Sequence, residues 1–261
     1  MRIFTYNVSW QSMIGRSNWK LCNSTNPTDE KYFMKCIQNV SKVIDENKPY
    51  DFVLLQEASN YKKIIAESEY LKQMSFRVHN SGPEEMIMFW DHNKYHLDSE
   101  LVLEGEFVKG RPYQVLTFNT NLTVINIHAE HQRVPILIKK LNRLMNKLVE
   151  LFPNPSHRFI IGGDFNNNIG NILRLGSITF HNNPEYILTC CGPSNFKFSF
   201  DHVIDSVAPP IKIFSPIVDK LASDHLPIIA ILDLDQKGGQ TDFYYKYLKY
   251  KILYLELKNN I

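Results

Sequence analysis

The sequence predicts a mixed α/β domain, and three observations carry that expectation. Strand-length apolar runs alternate with helix-period segments early in the chain, while the middle holds strand pairs joined by turn residues. The third is composition: 261 residues with 44% hydrophobic and 21% charged side chains can bury a large core, which excludes disorder, collagen and coiled coil. A formal charge of +2, from 29 Lys+Arg and 27 Asp+Glu, gives no global pull toward nucleic acid or anionic membrane, so any such preference must be local. Cys22, Cys36, Cys190 and Cys191 show no CxxC spacing and are too few for a disulfide scaffold, so reduced thiols are expected. The chain opens directly on a strand pattern with no apolar signal region, and no run reaches membrane-span length, which predicts an intracellular protein.

The first strand is expected over residues 2–8, followed by a polar stretch from Gln11 to Pro27 that is long for a plain connection. Thr28 reads as an N-cap. Asp29 and Glu30 then occupy a first turn, and Phe33, Cys36, Ile37, Val40, Val43 and Ile44 form one apolar helix face that ends before Pro49. Asp51 to Glu57 reads as a buried strand ending in a charge, and a second helix is expected over Tyr61 to Tyr70. Strands follow at Glu85 to Trp90, Tyr113 to Phe118 and Leu122 to His128, the last two joined by a turn at Asn119-Thr120-Asn121. A strong apolar helix spans Val134 to Phe152 and stops at Pro153 and Pro155. Arg158 to Asp164 is a further buried strand, with later strands around 200–207, 211–214 and 227–234. After a Gly-rich break at 236–240, residues 241–261 are dense in Tyr, Lys and Leu and read as a terminal helix docked on the domain.

Six segments place acids, amides and histidines at ends of these strands: Thr5-Tyr6-Asn7, Leu55-Gln56-Glu57, Asn126-Ile127-His128, Gly162-Gly163-Asp164-Phe165-Asn166, Phe200-Asp201-His202-Val203 and Ser223-Asp224-His225-Leu226-Pro227. A single aspartate at a strand end is ordinarily a cap or turn residue, so each segment alone says little. His92 and His96, and His128 and His131, have zinc-like spacing but no further ligands close in sequence, so surface positions are expected for the first pair and the rim of a site for His131.

As an ordered set, the six segments resemble the motifs of the endonuclease/exonuclease/phosphatase superfamily, the deoxyribonuclease I-like fold, over residues 1–235. The resemblance implies a four-layer αββα sandwich, with two packed mixed β-sheets flanked by helices and the catalytic groups at one end of the sheets. It also implies metal-dependent hydrolysis of a phosphoester. Glu57 and Asn7 offer hard oxygen donors suited to Mg²⁺, with Mn²⁺ an alternative, and Asp224 is expected at or beside the metal. By its match to the Gly-Asp-X-Asn motif, Asp164 is expected to orient and deprotonate water, held by Asn166. His225 matches the histidine that contacts the scissile phosphate, Asp201 the aspartate that orients it, and His128 a donor to a phosphoryl or leaving oxygen. Trp10, Arg133 and Asn126 are expected to touch substrate.

The branch is not resolved by these motifs. Ser9 and His128 depart from the abasic-site endonucleases, and Phe200-Asp201-His202 departs from the Cys-Asp-Arg run of the inositol polyphosphate 5-phosphatases. Thr-Tyr-Asn, Leu-Gln-Glu, Gly-Gly-Asp-Phe-Asn and Ser-Asp-His are similar to the tyrosyl-DNA phosphodiesterase branch, and Asp-His-Val to sphingomyelinase-like members. The leading expectation is a monomeric Mg²⁺-dependent phosphodiesterase or nuclease acting on nucleic acid or a nucleotide-containing phosphodiester. The alternatives are a phosphatase or phospholipase acting on inositol phosphate, phosphoinositide or sphingomyelin, with the tail against membrane lipid, and a catalytically inactive binding module.

Overall fold

A computed structural model describes residues 1–15, 22, 30–82, 84–183, 187–191, 196–216 and 222–233. The expected N-cap at Thr28 and the whole tail, 236–261, lie outside the described residues. Among the described residues no helix is long and apolar enough to cross a membrane.

Two mixed sheets face each other. The first has six strands in the order β12-β13-β1-β2-β4-β3 and the second seven in the order β5-β6-β7-β8-β11-β10-β9. In chain order the strands are β1 (Arg2–Asn7), β2 (Phe52–Gln56), β3 (Ser75–Ser81), β4 (Glu84–Trp90), β5 (Leu97–Val108), β6 (Arg111–Phe118), β7 (Leu122–His128), β8 (Arg158–Asp164), β9 (Ile172–Leu175), β10 (Ile178–His181), β11 (Asp201–Asp205), β12 (Lys212–Phe214) and β13 (Ile228–Ile231). The helices are α1 (Trp10–Met13), α2 (Glu30–Glu46), α3 (Tyr61–Glu67) and α4 (Val134–Leu151), with a 3-10 turn at Leu71–Gln73.

Each sheet contains one parallel pair, and each pair is bridged by a long helix. β1 runs parallel to β2 across α2, and β7 parallel to β8 across α4. A parallel pair needs such a crossover, and the crossover helix covers the outer face of its sheet. Alternation along the strands makes the layers: in β2, Phe52 and Leu54 point between the sheets, while Val53 and Leu55 pack toward the α2 side. The inter-sheet core also holds Met88, Phe118, Val124, Ile160 and Val203. On the far side α4 buries Leu137, Leu141, Leu144, Met145 and Leu148 at helical spacing. Each such side chain contributes about 1.5–3 kcal/mol by leaving water. Pro135 fits in the first turn of α4, where its missing N–H costs no helical bond.

Helix α2, strands β1, β2, β4, β6, β7, β8, β11, β12 and β13, and helix α4 match the sequence expectations to within a few residues. Four strands were not expected: β3, β5, β9 and β10. The second helix is shorter than expected and ends at Glu67, the 3-10 turn at Leu71–Gln73 lies beyond its expected range, and part of the polar stretch after β1 forms α1. The expectation of reduced thiols is corrected: Cys22 is joined to Cys36 of α2 across a Cα separation of 5.1 Å, and Cys190 is joined to Cys191. Cys22 is buried in the same apolar cluster as Cys36, a proximity that spacing alone does not show.

Candidate active site

The two parallel pairs end at the same edge of the sandwich, so four carboxyl-terminal strand ends converge there. Asn7 closes β1, Glu57 follows β2, and His128 and Asp164 are directly opposite each other at the ends of β7 and β8. The antiparallel neighbours bring their amino-terminal ends to the same place. Asp201 at the start of β11 pairs with Asp164, and Glu84 and Arg111 begin β4 and β6.

Local backbone geometry aims these groups. Glu57 takes a left-handed conformation (φ 55°), as do Ser9 (φ 59°) and Asn166 (φ 48°) beside the same edge. Non-glycine residues seldom occupy that region without compensating contacts. For Glu57 the compensation is visible: Oε2 accepts the Trp10 backbone N–H at 3.0 Å and Oε1 accepts Asn7 Nδ2–H at 3.1 Å. Asn166 closes an Asx turn, its N–H donating to Asp164 Oδ1 at 2.7 Å, while its amide Nδ2 donates to the Ala129 carbonyl at 2.8 Å.

Asp164 Oδ2 is the centre of the cluster. It accepts from Asn7 Nδ2 at 2.9 Å and Asn166 Nδ2 at 3.2 Å, and lies 3.6 Å from His128 Nε2 and 3.7 Å from His225 Nε2. Burial alone would raise the pKa of this carboxyl, but the two imidazoles and the amide and backbone donors outweigh it and hold it below its ordinary value. The group is therefore an anion at neutral pH.

Each histidine has its own carboxylate behind it. His225 Nδ1 is 2.8 Å from Asp201 Oδ2, and His128 Nδ1 is 2.9 Å from Glu84 Oε2. Burial pushes both imidazoles down, yet Asp201 and Asp164 hold His225 well above its ordinary value, and Glu84, Glu57 and Asp164 raise His128. Both Nε2 atoms point at Asp164. Arg111 Nη1 lies 3.2 Å from Glu84 Oε2 and 2.7 Å from His128 Nε2, adding a guanidinium to the same wall. Two buried carboxylate–imidazole pairs facing one carboxylate can shed a proton, hold a proton and bind an oxyanion within one small space.

Positive charge is wanted in this site. The Asn7 amide N–H₂ bridges the Glu57 and Asp164 carboxylates, while its Oδ1 accepts from the Ser9 backbone N–H at 3.0 Å. Glu57, Glu84 and His128 bring ligand atoms within 4.8 Å of one another, and Asp164, Asp201 and His225 do the same. Oxygen-rich sets of this kind fit a hard divalent cation. These bonds assign the Asn7 nitrogen to the two carboxylates and its oxygen to the Ser9 N–H, so presenting that oxygen to an ion would require the amide to turn and give up the Ser9 contact.

Asn7, Glu57, His128, Asp164, Asn166, Asp201 and His225 are thus brought together. Trp10 reaches the cluster through its backbone N–H at the start of α1. Three other expected residues are placed differently. Asn126 is fully buried, accepts from Gln56 Nε2 at 2.7 Å and donates to the Leu55 and Ile87 carbonyls, so its amide joins the two sheets and has none of its polar atoms left for substrate. Arg133 is exposed at the start of α4, outside the hydrogen-bonded cluster. Asp224 is half-buried beside Ser223 and acts on His225 through its charge. His92 and His96 are exposed, and His131 lies edge-on to Phe200 near the rim. Glu84 and Arg111 were not anticipated; the available signal was a charged residue at the end of an apolar strand, the same signal that marked Glu57.

No protein-family model matches the sequence. An uncharacterized protein of Acanthamoeba polyphaga mimivirus is 30% identical over 254 residues, covering 88% of this chain and 50% of that protein, so the chain spans about half the length of this curated relative. Among solved structures, TDP2 from Caenorhabditis elegans superposes with a TM-score of 0.61 at 17% identity over 88% of this chain and 74% of that one. The mannosyl-6-phosphatase Bt3783 of Bacteroides thetaiotaomicron gives 0.63 at 13% identity over 90% and 100%. An endonuclease/exonuclease/phosphatase protein from Bacteroides vulgatus gives 0.62 at 14% identity over 90% and 98%. At these identities the likeness establishes the fold.

Proposed function

The chain has the endonuclease/exonuclease/phosphatase fold, and on that premise we propose that it is a Mg²⁺-dependent phosphodiesterase acting on nucleic acid or a nucleotide-containing phosphodiester. The observation that carries the reading is Asp164 Oδ2 set between two histidine Nε2 atoms, at 3.6 and 3.7 Å, each histidine backed by its own carboxylate. Hydrolysis of a phosphoester by water needs an oriented nucleophile, donors for the phosphoryl oxygens and a proton for the leaving oxygen.

Asp164, fixed by Asn7 and Asn166, orients the attacking water and takes up its proton. His225, held charged by Asp201, donates Nε2–H to a phosphoryl oxygen, and His128 serves a second oxygen or the leaving group from the opposite side. Arg111 adds a fixed positive charge beside His128. Glu57 and Asn7 would hold the divalent ion, which would neutralise charge building on the phosphoryl oxygens. Mn²⁺, which accepts the same oxygen ligands, is the expected substitute.

A phosphomonoesterase reading has one observation of its own, the likeness to a mannosyl-6-phosphatase. Turnover on a panel separates the two: single- and double-stranded DNA, RNA, a 5′-tyrosyl oligonucleotide, a sugar phosphate, sphingomyelin and a phosphoinositide, each with Mg²⁺ and with chelator. Chelator-sensitive cleavage of an oligonucleotide or nucleotide diester is the expected result. Turnover confined to the sugar phosphate or lipids would replace the phosphodiesterase reading, and silence with every substrate would contradict both.

A further inference from the structure

Cys190 and Cys191 lie outside the hydrolytic scheme, yet they touch its central histidine. Cys190 Sγ is 3.4 Å from His225 Nε2, the same nitrogen that faces Asp164. The contact is built into the backbone, since Cys190 forms β-bridges with both Phe198 and His225. Its N–H donates to the Phe198 carbonyl at 2.9 Å, and its carbonyl accepts from Lys197 and Phe198 at 2.7 and 2.8 Å. Next to it, Thr189 Oγ1 accepts from the N–H groups of Phe200 and Asp201, so this short segment also positions the aspartate behind His225. Cys190 is buried, whereas Cys191 is partly exposed, and the two sulfurs are bonded to each other.

We propose that Cys190 and Cys191 are a reversible thiol–disulfide modification site that sets what His225 Nε2 can bind, with small dithiols and their disulfides as reactants. This inference rests on the role given to His225 above. Closing the pair breaks two S–H bonds and forms one S–S bond; two electrons and two protons pass to the oxidising disulfide, which opens into two thiols. Reduction runs the same exchange backwards, with the incoming thiolate attacking at Cys191, the sulfur that solvent reaches. In the closed state Cys190 offers His225 only a neutral, weakly accepting sulfur, and Nε2–H is free for a phosphoryl oxygen. In the open state the Cys190 side chain is no longer tied to Cys191 and is free to close on His225 Nε2 from its 3.4 Å position, occupying the side of the imidazole that a phosphoryl oxygen would use. The oxidised protein is the more active form.

The test uses the full chain, labelled at histidine and equilibrated in oxidised or reduced dithiothreitol, a couple that leaves no stable mixed disulfide. Three quantities are read: the mass of the peptide holding residues 190–191, the imidazole NMR signals of His225 and, separately, phosphodiester turnover. The His225 signals are assigned by their loss in His225→Gln. The expected result is a wild-type peptide lighter by two hydrogens when oxidised, displaced His225 signals on reduction, and turnover about tenfold lower in the reduced protein. In Cys191→Ser, and in Cys191→Ala should the first variant misfold, the His225 signals stay in place between the two conditions. Unchanged His225 signals in the wild type, or equal displacement in the Cys191 variants, would overturn the proposal and leave any redox effect to Cys22–Cys36. Displaced signals in a protein that cleaves no substrate would sustain the thiol site and count against the hydrolytic reading alone.

Discussion

The two oxygens of Asp164 have separate tasks. Oδ1 is spent on the Asn166 backbone N–H, which fixes the carboxylate plane, and Oδ2 faces both histidines. Against the burial that lowers both imidazoles, Asp201 and then Asp164 raise His225, and Glu84, Glu57 and Asp164 raise His128, so proton occupancy in this site is shared among the groups. A pH dependence follows with a definite sign. His225 is raised well above 6.5 and works as a cation, so activity is retained at neutral pH and lost as pH rises through that higher value. Asp201→Asn removes the partner charge at Nδ1 and leaves burial, which lowers the pKa, less opposed. The alkaline limb of the pH–rate profile should therefore move toward acid, measured from kcat/KM across pH. A limb that stays in place would show that Asp201 does not hold the charge on His225.

The same scale shows which parts of the site were legible in the sequence. Asn7, Glu57, His128, Asp164, Asp201 and His225 stand in short segments whose order marks them, and the structure gathers them. Glu84 and Arg111 carry no motif; they enter because antiparallel pairing returns β4 and β6 to the edge where β2 and β7 end. Asn126 was misread for a related reason. Its segment ends at the site, but position 126 is two residues short of the strand end, on the same face as His128 and deeper between the sheets, where its amide meets Gln56.

At the scale of elements, the long buried strands and the amphipathic helices announced themselves through their apolar pattern. The strands that escaped are of another kind. β3, Ser-Phe-Arg-Val-His-Asn-Ser, and β5, with three glutamates and an aspartate, lie at outer edges of the two sheets, and β9 is the edge opposite β5. Edge strands carry polar and charged residues that resist further pairing, which removes the apolar run by which a strand is read. β8 shows the reverse case. Gly162 and Gly163 look like turn residues but lie inside the strand, because the site requires close approach there. Gly163 has φ 136°, and a Cβ added to it would collide with the Ile127 carbonyl of β7, the neighbouring strand of the parallel pair. A Cβ on Gly162 would be crowded by the end of the Leu54 side chain, at 2.6 Å, with its other neighbours at ordinary contact distance. Gly163→Ala should cost about 2–4 kcal/mol in urea unfolding and Gly162→Ala about 1–2 kcal/mol, the difference being backbone against a rotatable side chain. Equal costs would contradict this account of the β7–β8 approach.

For the whole molecule, the decisive property is that two crossover units, β1-α2-β2 and β7-α4-β8, are packed sheet to sheet with their carboxyl ends at one edge. Neither sheet alone holds a complete set: one supplies Asn7, Glu57 and Glu84, the other Arg111, His128, Asp164 and Asp201, and His225 arrives on the segment leading into β13. Buried contacts between the sheets, including Gln56 with Asn126, fix their relative position. Periodicity reveals a mixed α/β chain but not which sheet edges will meet, and the ordered motifs were needed to anticipate the four layers.

The central claim is that this shared edge hydrolyses phosphodiesters through Asp164, and steady-state hydrolysis of a phosphodiester with Mg²⁺, comparing the wild type with Asp164→Asn, tests it most directly. Asparagine keeps the shape and the Asn166 turn but not the charge, so circular dichroism should be unchanged while kcat/KM falls on the order of 10²–10⁴-fold. A folded Asp164→Asn protein that cleaves the diester at a rate within about threefold of wild type would contradict the account.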